Sequence, residues 1–305
     1  DLVGWSVPVF LVISGYLFLN PERELGMGKM LTRYCRRMVL ALLLFGVPYG
    51  CMELVAAEGG LRPGMLGEAF LMVLRGESWS HMWYLYLILL LYALTPPLKW
   101  VLKAIPRWAV YGILLALFLE CSALPYLCEL LGWEEGPWLP GDGIYLFYYI
   151  CGYLFATGEG DRLGRAAKKG ILPGLALALA VCMAASRLWG EYALQMAYNY
   201  PFTVLLALLL FAWGKGACKR GGSPFWREAA GLSFAVYLIH PVFLNLAYKY
   251  FHVTPLSNAT LLSHLMPAPV PLCIFLLLFF AGTAALSLLA AWMLHRIPPL
   301  RKYVL

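Results

Sequence analysis

His240 stands inside an otherwise apolar stretch, Leu232-Ser233-Phe234-Ala235-Val236-Tyr237-Leu238-Ile239-His240-Pro241. Imidazole titrates near neutral pH, and an ionisable group embedded at membrane depth points to function before packing. The plainer reading is a neutral histidine satisfying a neighbouring helix. A second histidine, His81, opens another apolar run in Trp79-Ser80-His81-Met82-Trp83-Tyr84-Leu85-Tyr86. It either moves protons there or belongs to an aromatic belt at the membrane surface. His252, His264 and His295 fall in loops or at a boundary and carry no comparable signal.

Lys29, Arg33, Arg36 and Arg37 crowd the start of the second apolar run. The first three share one helical face, and guanidinium forks match phosphate oxygens. The competing reading is an anchor whose long side chains snorkel to lipid phosphates. Ser14-Gly15-Tyr16 lies within the first run, where a Ser-Gly pair lets another helix approach closely. None of the eight cysteines has metal-ligand spacing, and most read as small hydrophobes. Cys121 and Cys128 leave a disulfide open. No metal site is expected.

Such residues need a frame, and the composition says what kind. Apolar residues make up 62% of the chain and charged residues only 13%, about half the usual charged share of a soluble domain. Runs able to cross about 30 Å of hydrocarbon fall at 2–19, 36–56, 82–98, 108–127, 143–157, 171–189, 201–214, 229–248 and 270–294. The fold class is therefore all-α, a polytopic transmembrane helix bundle with about nine helices in view. A net charge of +7 raises nucleic acid as a partner. The cations lie in short loops instead of on one soluble face, so the bilayer is the expected partner and nucleic acid is not.

Those loop cations also orient the chain. Of 23 Lys and Arg, all but Arg62, Arg75, Arg187 and Lys249 fall in one alternating set of loops. The rich side is read as cytoplasmic, with the loops at 20–35, 158–170 and 215–228 inside and 128–142 outside. Residue 1 is then extracytoplasmic and the C-terminus cytoplasmic, in a multi-pass protein of the inner (plasma) membrane. An outside start at Asp1 calls for an odd number of earlier helices, one at the simplest. The stretches 57–80 and 249–269 read as loops, and Pro96-Pro97 and Pro298-Pro299 as helix ends. Residues 1–305 read as a single membrane domain.

Taken in order, Val7-Pro8-Val9-Phe10 through Ser14-Gly15-Tyr16-Leu17, Arg33-x-x-Arg36, His81-x-Trp83-Tyr84-Leu85, Ser233 through Tyr237-Leu238-Ile239-His240, and Arg296-Ile297-Pro298-Pro299-Leu300-Arg301 resemble the acyltransferase-3 family of bacterial integral membrane acyltransferases. That family typically has about ten helices, the first carrying an arginine followed by a histidine essential for acyl transfer. The resemblance implies an N-terminally truncated member without its first transmembrane helix, unable to catalyse in this form.

The resemblance further implies acyl transfer, usually of acetyl from cytoplasmic acetyl-CoA, to a hydroxyl of a cell-surface or exported carbohydrate. Arg33, Arg36 and Arg37 would meet the donor's phosphates, with Ser14, Gly15 and Tyr16 beside its arm. His240 would support the principal histidine, and His81, Trp83 and Tyr237 would meet the acceptor. The alternative is a non-enzymatic transport module for a small polar molecule, as in related membrane domains fused to serine racemases. Acceptor identity, acyl length and oligomeric state are not legible.

Overall fold

In the computed structural model the residues described are 4–133, 141–162, 165, 170, 197–218, 223–250 and 270–305. The expected span at 171–189 and loop at 251–269, with His252, His264 and Glu134, lie outside them. Among the described residues every regular element is helical and none is a strand. We number the helices α1 (Ser6–Phe18), α2 (Met27–Glu58), α3 (Met65–Arg75), α4 (Trp83–Ala104), α5 (Arg107–Glu129), α6 (Gly143–Ala156), α7 (Pro201–Ala217), α8 (Pro224–Tyr248), α9 (Val270–His295) and α10 (Pro298–Tyr303).

Five of these runs are long and apolar enough to cross a membrane: α2, α4 with its preceding turn, α5, α8 and α9. Three shorter apolar helices, α1, α6 and α7, coincide with the remaining described segments. The protein is an all-α membrane bundle. Its outer faces agree: Leu277, Leu278 and Phe280 of α9 are 68%, 68% and 74% exposed, a row of apolar side chains that suits lipid better than water.

The described chain divides into two compact units, 1–30 with 91–221 and 31–90 with 222–305. In the first, α1 lies along α6 through glycines. A Cβ on Gly15 would overlap the Tyr149 carbonyl, and one on Gly152 would strike the backbone of Val12 and Gly15. The two helices touch backbone to backbone, as small residues permit in membranes. Around α6, Ile144, Phe147, Tyr148, Tyr149, Ile150 and Cys151 are all buried, so it is the central helix of this unit. Thr95 donates its hydroxyl to the Leu91 carbonyl at 2.8 Å and therefore accepts from the Tyr149 phenol at 2.7 Å. Cys121 and Cys128 are free thiols, so the disulfide left open by the sequence is not formed.

In the second unit α2 packs on α3. Val73 and Ala69 close on Gly46 and Gly50, with contacts of 2.9 and 3.0 Å to the positions a Cβ would take. That helix corrects the expectation of a loop at 57–80. Its buried Met65, Ala69 and Val73 recur every four residues and form one apolar stripe, yet its 11 residues span only about 16 Å. A second correction concerns Pro96 and Pro97, which lie inside α4 instead of ending it. Each deletes one backbone donor, a loss that membrane helices tolerate when neighbours satisfy the freed carbonyl. Pro298 does start a new helix, after α9 stops at His295.

Candidate functional site

The second unit holds a cavity of about 520 Å³ that brings the two singled-out histidines together. His81 comes from the 3₁₀ turn before α4, His240 from α8, and their ring centroids are 5.9 Å apart and nearly edge to face. Glu53 near the end of α2, Glu77, Ser78, Trp79, Ser80 and Asn245 complete the polar wall. Residues far apart in sequence thus form one basin able to hydrogen-bond a polyhydroxylated molecule.

Each wall residue is held. Trp79 donates its indole N–H to Glu53 Oε2 at 3.1 Å and is covered by the Tyr49 ring, parallel to it at 4.3 Å between centroids. Tyr49 in turn donates its hydroxyl to the Leu238 carbonyl of α8. Tyr237 donates to the His81 carbonyl, and Tyr86 to the Val73 carbonyl at 2.5 Å. Asn245 donates to the Pro241 carbonyl at 3.0 Å. His81 Nε2 is buried and has no hydrogen-bond partner among the described residues.

His240 owes its tautomer to its neighbour. Its Nδ1 lies 2.8 Å from the Tyr237 carbonyl and 3.2 Å from that of Val236. Carbonyls only accept, so Nδ1 carries the hydrogen, and in the neutral ring Nε2 keeps the lone pair.

A cationic site lies elsewhere on the same helices. Arg33, Arg36 and Arg37 line a cavity of about 190 Å³ with Arg301 and Lys302 of α10. The last two also border a larger cavity of about 860 Å³, with Arg227, Arg296 and Trp292. Arg296 lies 4.1 Å from the centre of the Trp292 ring, a cation–π contact. Arg33 and Arg36 are exposed, whereas Arg37 is half-buried and donates Nε to the Val304 carbonyl at 2.7 Å and Nη2 to that of Leu305. Arg33 and Glu53 stand twenty positions apart on α2, about 30 Å at 1.5 Å per residue. Cations and histidine basin therefore sit about one hydrocarbon thickness apart along that helix.

The acyltransferase-3 family model, described as an acyltransferase domain, matches residues 1–295. The chain belongs to that family. Neither the curated proteins nor the solved structures compared with it gave a match.

For this membrane acyltransferase the expected site residues separate. His81, His240 and Tyr237 meet at the basin, Tyr237 as a brace for the His81 backbone. The indole lining the basin is that of Trp79, while Trp83 begins α4 and packs edge-on against Tyr84 at 6.1 Å. Arg33, Arg36 and Arg37 line one cavity, whereas Lys29, which the spacing puts on the same face as Arg33 and Arg36, is not part of its lining. Ser14, Gly15 and Tyr16 belong to the other unit, where the Tyr149 backbone occupies the space beside Gly15 and Tyr16 packs on Phe211 at 5.5 Å. A packing role accounts for Gly15.

Glu53, Arg301 and Lys302 escaped the sequence reading. Glu53 had a signal, a carboxylate inside an apolar run. Arg301 and Lys302 looked like loop cations until α10 brought them to Arg33. Among the described residues no three His, Cys, Asp or Glu side chains form a group able to hold a metal.

Proposed function

We propose that this acyltransferase moves an acyl group, acetyl in the first instance, from cytoplasmic acyl-CoA to a hydroxyl of a cell-surface or exported carbohydrate. The observation that carries the reading is the separation of charge and base along α2, with the cationic cavities at Arg33 and the histidine basin at Glu53. Coenzyme A bears phosphates that cannot enter hydrocarbon, and its long thioester arm is mostly uncharged. Arg33, Arg36, Arg301 and Lys302 hold the phosphates at the cytoplasmic face of the plasma membrane, and Arg37 braces the cluster. The acceptor sugar enters from the opposite face and lies against Trp79, between Glu53 and the histidines.

A hydroxyl is a weak nucleophile at neutral pH, and an imidazole within hydrogen-bond reach raises its reactivity. As the acceptor oxygen attacks the thioester carbonyl its proton passes to imidazole, the carbon–sulfur bond breaks, and the departing thiolate receives a proton. The products are the O-acyl sugar and free coenzyme A.

The test is incubation of the full-length protein, beside residues 1–305 alone, in liposomes with [¹⁴C]acetyl-CoA and a set of neutral methyl glycosides. Label in the sugar fraction that depends on His240 is the expected result. Uptake of the glycosides without labelling would replace this reading by transport.

A further inference from the structure

Arg301 and Lys302 of α10 border two cavities at once, the one of about 190 Å³ that Arg33 and Arg36 line and the one of about 860 Å³. Sites for drug-sized ligands measure about 300–1,000 Å³. The smaller cavity falls below that range and suits a phosphate group, whereas the larger has room for a whole nucleoside. Its wall carries Arg227 from the first turn of α8, Trp292 near the end of α9, and Arg296 just beyond that helix. Four cations thus border it against one carboxylate, Glu228. Among the described residues none of the four is ion-paired to a carboxylate, so the space favours an anion.

We propose that the larger cavity binds the adenosine 3′-phosphate end of the acyl-CoA donor, so that the enzyme selects coenzyme A over donors that lack the 3′-phosphate. The inference rests on the acyl-transfer reading and adds where the nucleotide lies. In coenzyme A the diphosphate stands between the pantetheine arm and the adenosine. Arg301 and Lys302 hold the corresponding place between the two cavities. A diphosphate bound there sends the arm past Arg33 and Arg36 and the adenosine toward Arg227. A phosphate monoester carries nearly two negative charges at neutral pH, and the Arg227 guanidinium presents a fork that matches its oxygens. Arg296 lies 4.1 Å from the centre of the Trp292 ring, and the pair gives a purine a flat surface to stack on.

The experiment measures calorimetric binding of coenzyme A, 3′-dephospho-coenzyme A and adenosine 3′,5′-bisphosphate to the full-length protein in phosphatidylcholine nanodiscs. Wild type should hold coenzyme A about ten- to a hundredfold more tightly than the dephospho form, as one added charged hydrogen bond implies. The bisphosphate alone should bind and compete with coenzyme A. Arg227→Ala and Arg227→Gln should each bind the two coenzymes alike, with the dephospho form at its wild-type affinity, which also reports an intact fold.

Equal affinity of wild type for the two coenzymes overturns the proposal, as does failure of the bisphosphate to bind. Variants that still prefer coenzyme A, or that lose both coenzymes together, overturn it as well. Phosphatidylglycerol that displaces the bisphosphate from the nanodiscs but leaves coenzyme A bound would give the cavity to a lipid headgroup instead. Arg227-dependent binding of the bisphosphate by a protein that transfers no acetyl would count against the acyl-transfer reading alone. Acetyl transfer with equal efficiency from acetyl-CoA and its dephospho form would count against the nucleotide site alone.

Discussion

The indole N–H of Trp79 meets Glu53 Oε2 at 3.1 Å, tying the turn before α4 to the far end of α2. This bond fixes the tryptophan face that the basin presents. Trp79→Phe keeps an aromatic ring but removes the donor. A hydrogen bond to a charged group contributes about 1.5–3 kcal/mol, and the half-exposed carboxylate puts this one at the low end. Thermal melting in detergent should therefore fall by a few degrees, and Glu53→Gln, which keeps an accepting oxygen, should fall less. Identical melting of Trp79→Phe and wild type would remove the bond from the account.

The three arginines of α2 should behave differently although they lie together in sequence. Arg33→Ala and Arg36→Ala are expected to weaken acyl-CoA binding by about 1.5–3 kcal/mol each, read by calorimetry, with little change in melting temperature. Arg37→Ala should instead lower melting temperature, because it deletes the donors to Val304 and Leu305. Unchanged donor affinity in the Arg33–Arg36 double variant would leave those residues with membrane anchoring only.

Gly15 and Gly152 should tolerate no side chain. At each the obstacle is backbone of the facing helix, which cannot turn aside as a flexible side chain can. Overpacking costs typically about 1–3 kcal/mol, and rigid neighbours push toward the upper end. Gly15→Ala and Gly152→Ala should each reduce the monodisperse fraction in size-exclusion chromatography, whereas Gly112→Ala, which meets nothing within 4 Å, should not. Equal elution of all three would contradict the tight contact.

The distribution of loop cations puts Arg165 inside and Trp133 outside. In a background lacking accessible native cysteines, Arg165→Cys and Trp133→Cys should react with an impermeant maleimide from opposite faces of sealed vesicles. Labelling of both from one face would overturn the topology.

How much of this was legible depended on which force decided each element. The spans were visible because hydrocarbon demands apolarity along their whole length, and Met27–Glu58 or Pro224–Tyr248 satisfy it in sequence. Helix α3 was hidden because the same test rejects a short helix flanked by Gly60, Pro63 and Gly64, although Met65, Ala69 and Val73 mark its stripe. The run through Pro96 and Pro97 was hidden for a related reason: proline's local cost is set against tertiary packing that no local rule records. At the site, His81 and His240 were each conspicuous, but their meeting depends on how α8 packs against the turn before α4. Trp79 was preferred to Trp83 by its bond to Glu53, again a contact across elements.

The three shorter apolar helices all belong to one unit. At 1.5 Å per residue the 13 residues of α1 and the 17 of α7 reach only about 20 and 26 Å, against about 30 Å of acyl chains. Lipids beside them must compress to meet their ends, at fractions of a kcal/mol for every ångström of mismatch. The same unit also holds α5, whose 23 residues reach about 35 Å, so short and full-length helices meet the bilayer within one unit.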